Sequence, residues 1–404
     1  MCELETGICL EHIDRGVVVG RGPNKSIEVS GVSVIRSHTA ANPLCCSCDG
    51  LRMSGDFVTP PPLEPSDNVA VVAPSSGGAR NAPHVFELGL RRLRETFQLD
   101  PVVYPTARQS DEFLVDSPRA RAADIHAAFR DPDIAGVVAT IGGWDQLRTR
   151  RYLDPDVLRE NPTRFYGMSD NTNLSLALWN AGVVSYSGAQ LMNELAVPGE
   201  LPEFTERYCR RAFFDDSVGE LDASAEWTDE PSTWWTNPDE LDSPPAYESN
   251  PGWRWAGGSD TATGRLWGGS RAIVEWNLAT DRYVPDEKRL DGAVLALETA
   301  EDLPSATDVR GTLMAMGERG LLERFAAVLV GRPPGRSFLE EPPREEREAY
   351  RERVYDAVAN EVERYDPDAP VVCGLDWGHT TPVAPLPIGD RVTVDPGSET
   401  IRFH

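Results

Sequence analysis

Residues 134–143 read Ile-Ala-Gly-Val-Val-Ala-Thr-Ile-Gly-Gly, a short apolar run that ends directly in two glycines. Such a run is typical of a strand buried on both faces. Outward from it, similar runs occur at 68–74, 101–104, 163–168 and 183–187, and segments with helical spacing separate them at 84–97, 117–130, 147–160 and 173–179. This alternation predicts an α/β fold with a doubly wound parallel sheet that helices cover on both faces.

A second α/β pattern begins at Gly264 and runs to the end of the chain. It contains predicted strands at 292–297, 326–330 and 370–374, helices at 305–317 and 343–365, and a terminal hairpin at 391–403. The intervening residues are rich in Pro, acidic residues and Trp and have no clear period, which is typical of a functional loop or a linker. We therefore predict an N-terminal domain at 53–225, a Trp-rich connecting or substrate loop at 226–262 and a C-terminal domain at 263–404.

The charge of the chain excludes one class of partner. It has 39 basic and 65 acidic residues, a net charge of −26, and only Lys25 and Lys288 are lysines. A surface this negative repels phosphate backbones, so we expect no nucleic-acid partner. Acid-rich, Lys-poor chains suit a high-salt cytoplasm, which predicts a halophilic protein; an ordinary acidic cytosolic protein is the alternative. No apolar run reaches 18 residues and no secretory signal is visible, so we expect a cytoplasmic protein without a membrane partner.

The first 52 residues differ from the rest of the chain. Five of the seven cysteines lie there (Cys2, Cys9, Cys45, Cys46 and Cys48), and the segment carries almost none of the acidity. The cysteine cluster has no second Cys or His pair at ligand spacing, so we expect no metal site. We predict that residues 1–52 are a disordered upstream extension and that Met53 is the natural start.

Two strand ends in the first half are candidates for chemistry. Ser169 follows a predicted strand at Tyr166-Gly-Met-Ser-Asp170, and a serine on such a turn presents its hydroxyl at the carboxyl edge of the sheet. The alternative is that Ser169 caps the following helix. Gly142 and Gly143 end the neighbouring strand, where their amides are suited either to a substrate oxyanion or to a plain turn. The amide of Asp170 is a second candidate oxyanion donor.

Two strand ends in the second half complete a possible catalytic triad. Glu298 ends the apolar strand that contains Leu297, and His379 lies in a Gly/Pro-rich loop after the strand at 371–375. A lone strand-end glutamate is most often surface charge, so His379 is the stronger signal. A serine, a glutamate and a histidine at strand ends can meet as nucleophile, orienting group and base.

These segments, taken together, resemble the LD-carboxypeptidase family of serine peptidases, within it the branch of the microcin C immunity proteins. The matching segments occur in the family's order and cover about 53–404: Val72-Ala-Pro-Ser-Ser76, Ile141-Gly-Gly143, Gly167-Met-Ser-Asp170, Gly264-Arg-Leu-Trp-Gly-Gly269, Leu297-Glu298, and Gly378-His-Thr-Thr-Pro382 with Pro387-Ile-Gly389.

The resemblance implies a Ser-His-Glu hydrolase without a metal or cofactor. Ser169 would be the nucleophile, His379 the general base and Glu298 the residue that orients it, with the amides of Gly143 and Asp170 as the oxyanion hole. The implied substrate is an amide bond near a free carboxylate, in a small peptide or in a peptidyl or aminoacyl nucleotide. Family members are typically homodimers. The alternative function is a non-catalytic small-molecule or nucleotide-binding protein on the same fold.

Tryptophan is concentrated in one region of the chain. Seven of the ten tryptophans lie between residues 227 and 276, with Trp234 and Trp235 adjacent. Aromatic faces stack nucleobases, and the resemblance implies that Trp234 and Trp235, with Gly142, contact the substrate. The alternative is that the tryptophans fill an irregular junction between the domains.

The acidic composition predicts a dependence of folding on salt. At molar salt the Debye length falls to about 3 Å, so the repulsion within a chain of charge −26 is screened. We expect a salt series followed by circular dichroism to give a loosened chain in dilute buffer and a compact, cooperatively melting one at molar salt. Equal melting temperatures at both ends of the series would contradict the halophilic interpretation.

Overall fold

A computed structural model describes residues 57–230, 233–337 and 339–404 of the protein. The predicted upstream extension at 1–52, with its cysteine cluster, lies outside these residues. Within the part of the chain that the structure describes, no helix is long and apolar enough to cross a membrane.

Short β-branched and apolar runs form the strands, as their composition predicts. Among the described residues the strands are β1 (Asn68–Val72), β2 (Asp100–Val103), β3 (Ile134–Ala139), β4 (Arg164–Tyr166), β5 (Ser185–Ser187), β6 (Glu226–Trp227), β7 (Glu248–Ser249), β8 (Arg254–Gly257), β9 (Ala262–Ser270), β10 (Ala293–Glu298), β11 (Phe325–Gly331), β12 (Pro370–Leu375), β13 (Leu386–Ile388), β14 (Arg391–Asp395) and β15 (Thr400–Phe403).

The helices begin at recognisable start signals. Pro83 occupies the first turn of its helix, and Ser305 with Asp308 forms a capping box at another. The described helices are α1 (Pro83–Glu95), α2 (Asp111–Asp116), α3 (Pro118–Arg130), α4 (Leu147–Arg150), α5 (Pro155–Glu160), α6 (Thr172–Ala181), α7 (Glu203–Phe214), α8 (Arg271–Thr280), α9 (Ala306–Glu318) and α10 (Arg344–Tyr365).

The first sheet confirms the predicted doubly wound fold. Its strand order is β13-β5-β4-β3-β1-β2, and β2, β1, β3, β4 and β5 run parallel. The order reverses between β1 and β3, and a crevice at such a reversal, outside the carboxyl ends of the strands, is the usual ligand site of this fold. Ser75 and Ser76 follow β1 and Gly142 and Gly143 follow β3, so both loops border that crevice.

The second sheet places a parallel centre between antiparallel edges. Its order is β15-β14-β9-β10-β11-β12-β8, in which β9 to β12 run parallel. The terminal hairpin predicted at 391–403 is β14 and β15. Because β10 and β12 are parallel, their carboxyl ends, which carry Glu298 and precede His379, meet at one edge.

Three details differ from the sequence-based description. The helix expected over 147–160 is two helices, because Asp154 caps a new one that begins at Pro155. The segment 226–262 contains β8, which pairs with β12. Finally, β13 lies in the second half of the sequence but pairs with β5 in the first sheet. The proposed domain boundaries stay a prediction.

Candidate active site

Ser169 lies on the turn between β4 and α6. One 3₁₀ turn, Ser169–Asn171, connects the strand to the helix. The backbone φ of Ser169 is 62°, a left-handed conformation that is uncommon for residues with a side chain and recurs at functional sites. The N-cap residues of the 3₁₀ turn and of α6 are Met168 and Asn171, so Ser169 occupies neither cap position. The helix-cap alternative therefore does not describe this serine.

Only glycine fits at the two positions after β3, because the side chains of three serines lie very close to the backbone there. A Cβ on Gly142 would lie 2.7 Å from the Cβ of Ser169 and 2.9 Å from its Oγ. A Cβ on Gly143 would collide with the hydroxyl oxygens of Ser75 and Ser76. The backbone at Gly142 thus passes directly beside the Ser169 side chain, where a larger residue would displace it.

The amide of Asp170 adjoins the same point. Its nitrogen would lie 3.4 Å from a Cβ on Gly142. It belongs to the first turn of a helical segment, where N–H groups have no acceptor within the helix and carry the positive end of the dipole. Such a donor beside the Ser169 hydroxyl is suited to a negative oxygen that develops on a substrate.

The side chain of Asp170 has a separate structural role. Its buried carboxylate accepts hydrogen bonds from Ser75 Oγ at 2.5 Å, from the Gln146 amide at 2.8 Å and from Asn173 Nδ2 at 2.9 Å. Burial raises the pKa of Asp170, and the bonds from Ser75 and Gln146 oppose that rise. The carboxylate thus joins the loops after β1 and β3 to the start of α6.

Glu298 and His379 form a buried pair. Oε2 of Glu298, at the end of β10, lies 2.6 Å from Nδ1 of His379, in the loop after β12. Gly378 has a φ of 107°, and a Cβ there would lie 3.0 Å from the Cβ of Glu298. The glycine lets the loop approach the carboxylate closely, and the bond at Nδ1 directs Nε2 away from Glu298.

A second carboxylate lies on the other side of the ring. Oε2 of Glu301 is 3.9 Å from Nε2 of His379. Burial alone would lower the pKa of His379, but the negative charges of Glu298 and Glu301 outweigh it and raise the pKa to about 10. The imidazole of the free protein is therefore protonated at neutral pH, and a general base must lose that proton before it can act.

Ser169 lies at the carboxyl edge of the first sheet, and the Glu298–His379 pair lies at the carboxyl edge of the second. The amide of Ser270, which ends β9 next to Glu298, donates to Oγ1 of Thr172 in α6 at 3.0 Å. The structure thus brings Glu298 together with His379, and Ser169 together with Gly142 and Asp170. Among the described residues, no hydrogen bond joins the Ser169 hydroxyl to His379.

The predicted tryptophans border this region. Trp234 is 6% exposed and lines a small cavity with His379, and its carbonyl oxygen accepts a hydrogen bond from His84 Nε2 at 2.7 Å. The half-buried Trp235 packs near Gly78 in the loop after β1. A pair of backbone hydrogen bonds between Thr228 and Thr381 holds the Trp-rich segment beside His379.

Several residues at the site escaped sequence reasoning. Trp144 directly follows the glycine pair and is 64% exposed, so its position next to that motif was an available signal. Glu301 lies three residues after Glu298, but the abundance of acidic residues hid it. Asp229 is buried against the guanidinium groups of Arg336, Arg347 and Arg351, and no pattern in the sequence indicated that cluster.

We also searched for a metal centre. Within the described residues, no group of three or more His, Cys, Asp or Glu side chains is arranged to hold a metal ion. Cys45, Cys46 and Cys48 lie outside those residues.

Comparison with known proteins identifies the fold family. The model of the LD-carboxypeptidase N-terminal domain matches residues 69–188, and that of the LD-carboxypeptidase C-terminal domain matches residues 263–394. The chain belongs to the LD-carboxypeptidase family. Ser169, Glu298 and His379 fall within these matches, whereas Trp234 and Trp235 lie between them. The family is one of peptidases, which supports a peptidase or amidase on this fold.

Individual relatives include members of the immunity-protein branch. A putative carboxypeptidase of Vibrio cholerae is 26% identical over 356 residues, 85% of this chain and 96% of the relative. The microcin C7 self-immunity protein MccF of Escherichia coli is 21% identical over 358 residues, 85% of this chain and 94% of the relative. An MccF-like protein of Streptococcus pneumoniae, solved in complex with AMP, matches with a TM-score of 0.73 and 26% identity over 84% of this chain and 99% of that chain. This member of the family therefore has MccF-like relatives.

The two carboxylates at His379 predict its titration. In an NMR pH titration we expect its imidazole to titrate well above the ordinary value of 6.5, and His126, whose pKa burial lowers, to titrate below it. Glu301→Gln and Glu298→Gln each remove a negative charge, so each should lower the pKa of His379. Because the folded-state pKa exceeds the unfolded one, the protonated imidazole stabilises the fold fully below pH 6.5, and this contribution is lost as pH rises through about 10.

The imidazole resonance that is missing from the spectrum of the His379→Ala variant is the one that belongs to His379. An His379 titration at or below that of His126 would contradict the geometry of this site.

Proposed function

We propose that the protein is a serine hydrolase that cleaves an amide bond near a free carboxylate, in a small peptide or in a peptidyl or aminoacyl nucleotide. Ser169 is the nucleophile, His379 the general base and Glu298 the group that orients the base. Two observations carry the proposal: the left-handed φ of 62° at Ser169, which occupies no helix cap position, and the 2.6 Å contact between Glu298 and His379 at the carboxyl edge of the second sheet.

The proposed reaction begins with proton transfer from Ser169. Its Oγ attacks the carbonyl carbon while Nε2 of neutral His379 takes the hydroxyl proton. The carbonyl oxygen becomes negative and accepts hydrogen bonds from the amides of Gly143 and Asp170. His379 then gives its proton to the leaving nitrogen as the C–N bond breaks. Water attacks the acyl-serine with the same base, releases the acid and returns the proton to Ser169.

The role of Glu298 follows from which nitrogen it contacts. Its carboxylate accepts from Nδ1, so Nε2 is the nitrogen left for Ser169. It also stabilises the imidazolium that forms during the attack. Because the carboxylates of Glu298 and Glu301 raise the pKa of His379, its imidazole is protonated in the free protein. Substrate binding must therefore lower this pKa before His379 can act as a base.

The branch of the family bears on the substrate. The MccF-like protein of S. pneumoniae was solved with AMP, and an MccF structure with 20% identity to this chain contains aspartyl sulfamoyl adenosine. These complexes support an acyl nucleotide as one substrate class here. If the substrate is an acyl nucleotide, it contacts Trp234, Trp235 and Gly142. The exposed ring of Trp144, next to Gly143, is a further surface on which a base can stack.

Three broader features belong to the same proposal. The resemblance supports a homodimer, and the net charge of −26 supports a halophilic host and a cytoplasmic location.

The triad proposal predicts a specific pattern of losses. Turnover should be measured on an aminoacyl nucleotide analogue and on an LD-dipeptide. Ser169→Ala and His379→Ala should each lower kcat/KM on the hydrolysed compound by about 10⁴-fold or more, and the double variant should lose little beyond that, because the residues act as a unit. Glu298→Gln should cost less, since an amide still contacts the ring. The melting temperature should change little in Ser169→Ala, because no large cavity forms at a cleft. His379→Ala should also lower it near neutral pH, because the buried Glu298 loses its cationic partner.

Ser305 provides a matched control serine. Its hydroxyl accepts a hydrogen bond from the backbone N–H of Asp308 and so caps a helix. Ser305→Ala should therefore lower the free energy of unfolding by about 1 kcal/mol and leave the activity unchanged. Full activity in Ser169→Ala would end the serine-hydrolase proposal. Turnover of neither compound by the parent protein would instead favour the non-catalytic binding protein.

A further inference from the structure

A small cavity lies beside the face of His379 that carries Nε2. Residues on its wall include His379, Glu194, Glu230, Glu301, Trp234 and Thr380, and its volume is about 30 Å³. A space of that size holds one or two water-sized groups. It is too small for a nucleobase or an aromatic ring, but it fits a single ammonium, hydroxyl or methyl group.

The charges around this cavity favour a cation. Asp229 on its wall forms ion pairs with Arg336, which also lies on the wall, and with Arg347 and Arg351. Glu194 accepts a hydrogen bond from the Gln190 amide at 2.6 Å, and Glu230 accepts one from the Ala246 amide at 3.0 Å. Within the described residues, no Lys or Arg forms an ion pair with Glu194, Glu230 or Glu301. An entering carboxylate would be repelled, whereas an entering cation would be attracted.

Two buried polar groups on the wall also lack partners. The indole N–H of Trp234 and the hydroxyl of Thr380 have no hydrogen-bond partner among the described residues, and both side chains are more than nine-tenths buried. Buried polar atoms are almost always satisfied, so an unpartnered pair lining one cavity points to a polar ligand. A hydroxyl accepts from an ammonium, and an indole N–H donates to an oxygen next to it.

We propose that this cavity binds a free primary ammonium group of the substrate through the carboxylate of Glu301, so that the preferred substrates are aminoacyl compounds with an unblocked amine. The inference rests on the proposed function, since His379 then marks the position of the reacting acyl carbon. Glu301 lies 3.9 Å from Nε2, which places the ammonium next to that carbon. Thr380 accepts from the ammonium, and Trp234 donates to the neighbouring carbonyl or carboxylate oxygen.

The arrangement also connects binding to activation of the base. In the free protein Glu301 interacts with the imidazolium at Nε2. A substrate ammonium that pairs with Glu301 neutralises the negative charge of that carboxylate. The imidazolium of His379 then loses a stabilising partner, so the neutral imidazole is favoured. The cation that identifies the substrate thereby helps to release the proton from the nitrogen that must receive the one from Ser169.

The test is equilibrium binding to Ser169→Ala protein, which prevents turnover. The probes are alanyl sulfamoyl adenosine and its lactyl analogue, in which a hydroxyl replaces the ammonium without added bulk. By titration calorimetry we expect the alanyl probe to bind at least about tenfold more tightly, as for a charge-assisted contact. Adding Glu301→Gln should abolish the preference, whereas Glu301→Asp should retain part of it.

A control variant and the comparison with turnover make the outcomes distinct. Glu323→Gln removes an exposed charge elsewhere on the second half and should retain the full preference. An unchanged preference in Glu301→Gln, no preference in the parent, or no binding of either probe would each overturn the inference. Ser169-dependent hydrolysis without the amine preference would refute this inference alone. Preference without hydrolysis would refute the proposed function alone.

Discussion

The buried carboxylate of Asp170 is the constraint on which the first half of the site depends. It receives donors from Ser75 after β1, from Gln146 after β3 and from Asn173 in α6, so one charge joins three segments that meet at the switch point of the sheet. A buried charge is tolerated only when such donors surround it. The adjacent Ser169 therefore has little freedom, and its strained backbone is held from both sides: by this network, and by the close approach of Gly142.

The network continues into the second half of the chain. Asn173 Oδ1 accepts from Asn277 of α8, which also accepts from Arg150 of α4. Together with the bond from Ser270 to Thr172, these contacts fix the carboxyl edges of the two sheets relative to each other. The Glu298–His379 pair belongs to the second edge, and the strand β13 returns the chain from that half into the first sheet. A site divided between two sheets needs such ties, because small relative shifts of its groups reduce rates strongly.

The predictable part of this molecule is the part that local patterns determine. Parallel strands bring their carboxyl ends to one edge, so the positions of Ser169, Gly142, Glu298 and His379 at strand ends followed from periodicity and turn residues. The carboxylate contacts of Asp170 and the approach of Glu301 to Nε2 did not, because they depend on which distant loops meet. The same holds for β13: its three residues are too few to carry a pattern, and they form a strand by pairing with the edge of β5 that β4 does not occupy.

The shortage of lysine also has a structural cause, separate from the proposed adaptation to salt. Buried guanidinium groups bind several acceptors at once in this fold. Arg164, fully buried, donates to the carbonyl oxygens of Pro60, Ala212, Phe213 and Asp215, and the buried Arg121 contacts the Asp145 carboxylate through two nitrogens. A lysine ammonium has neither the planar fork nor the reach for such sets and is more costly to remove from water. Arginine at these positions is therefore a requirement of packing. Only at exposed positions does the preference for Arg over Lys, together with the acidic residues around them, bear on the proposed halophilic host.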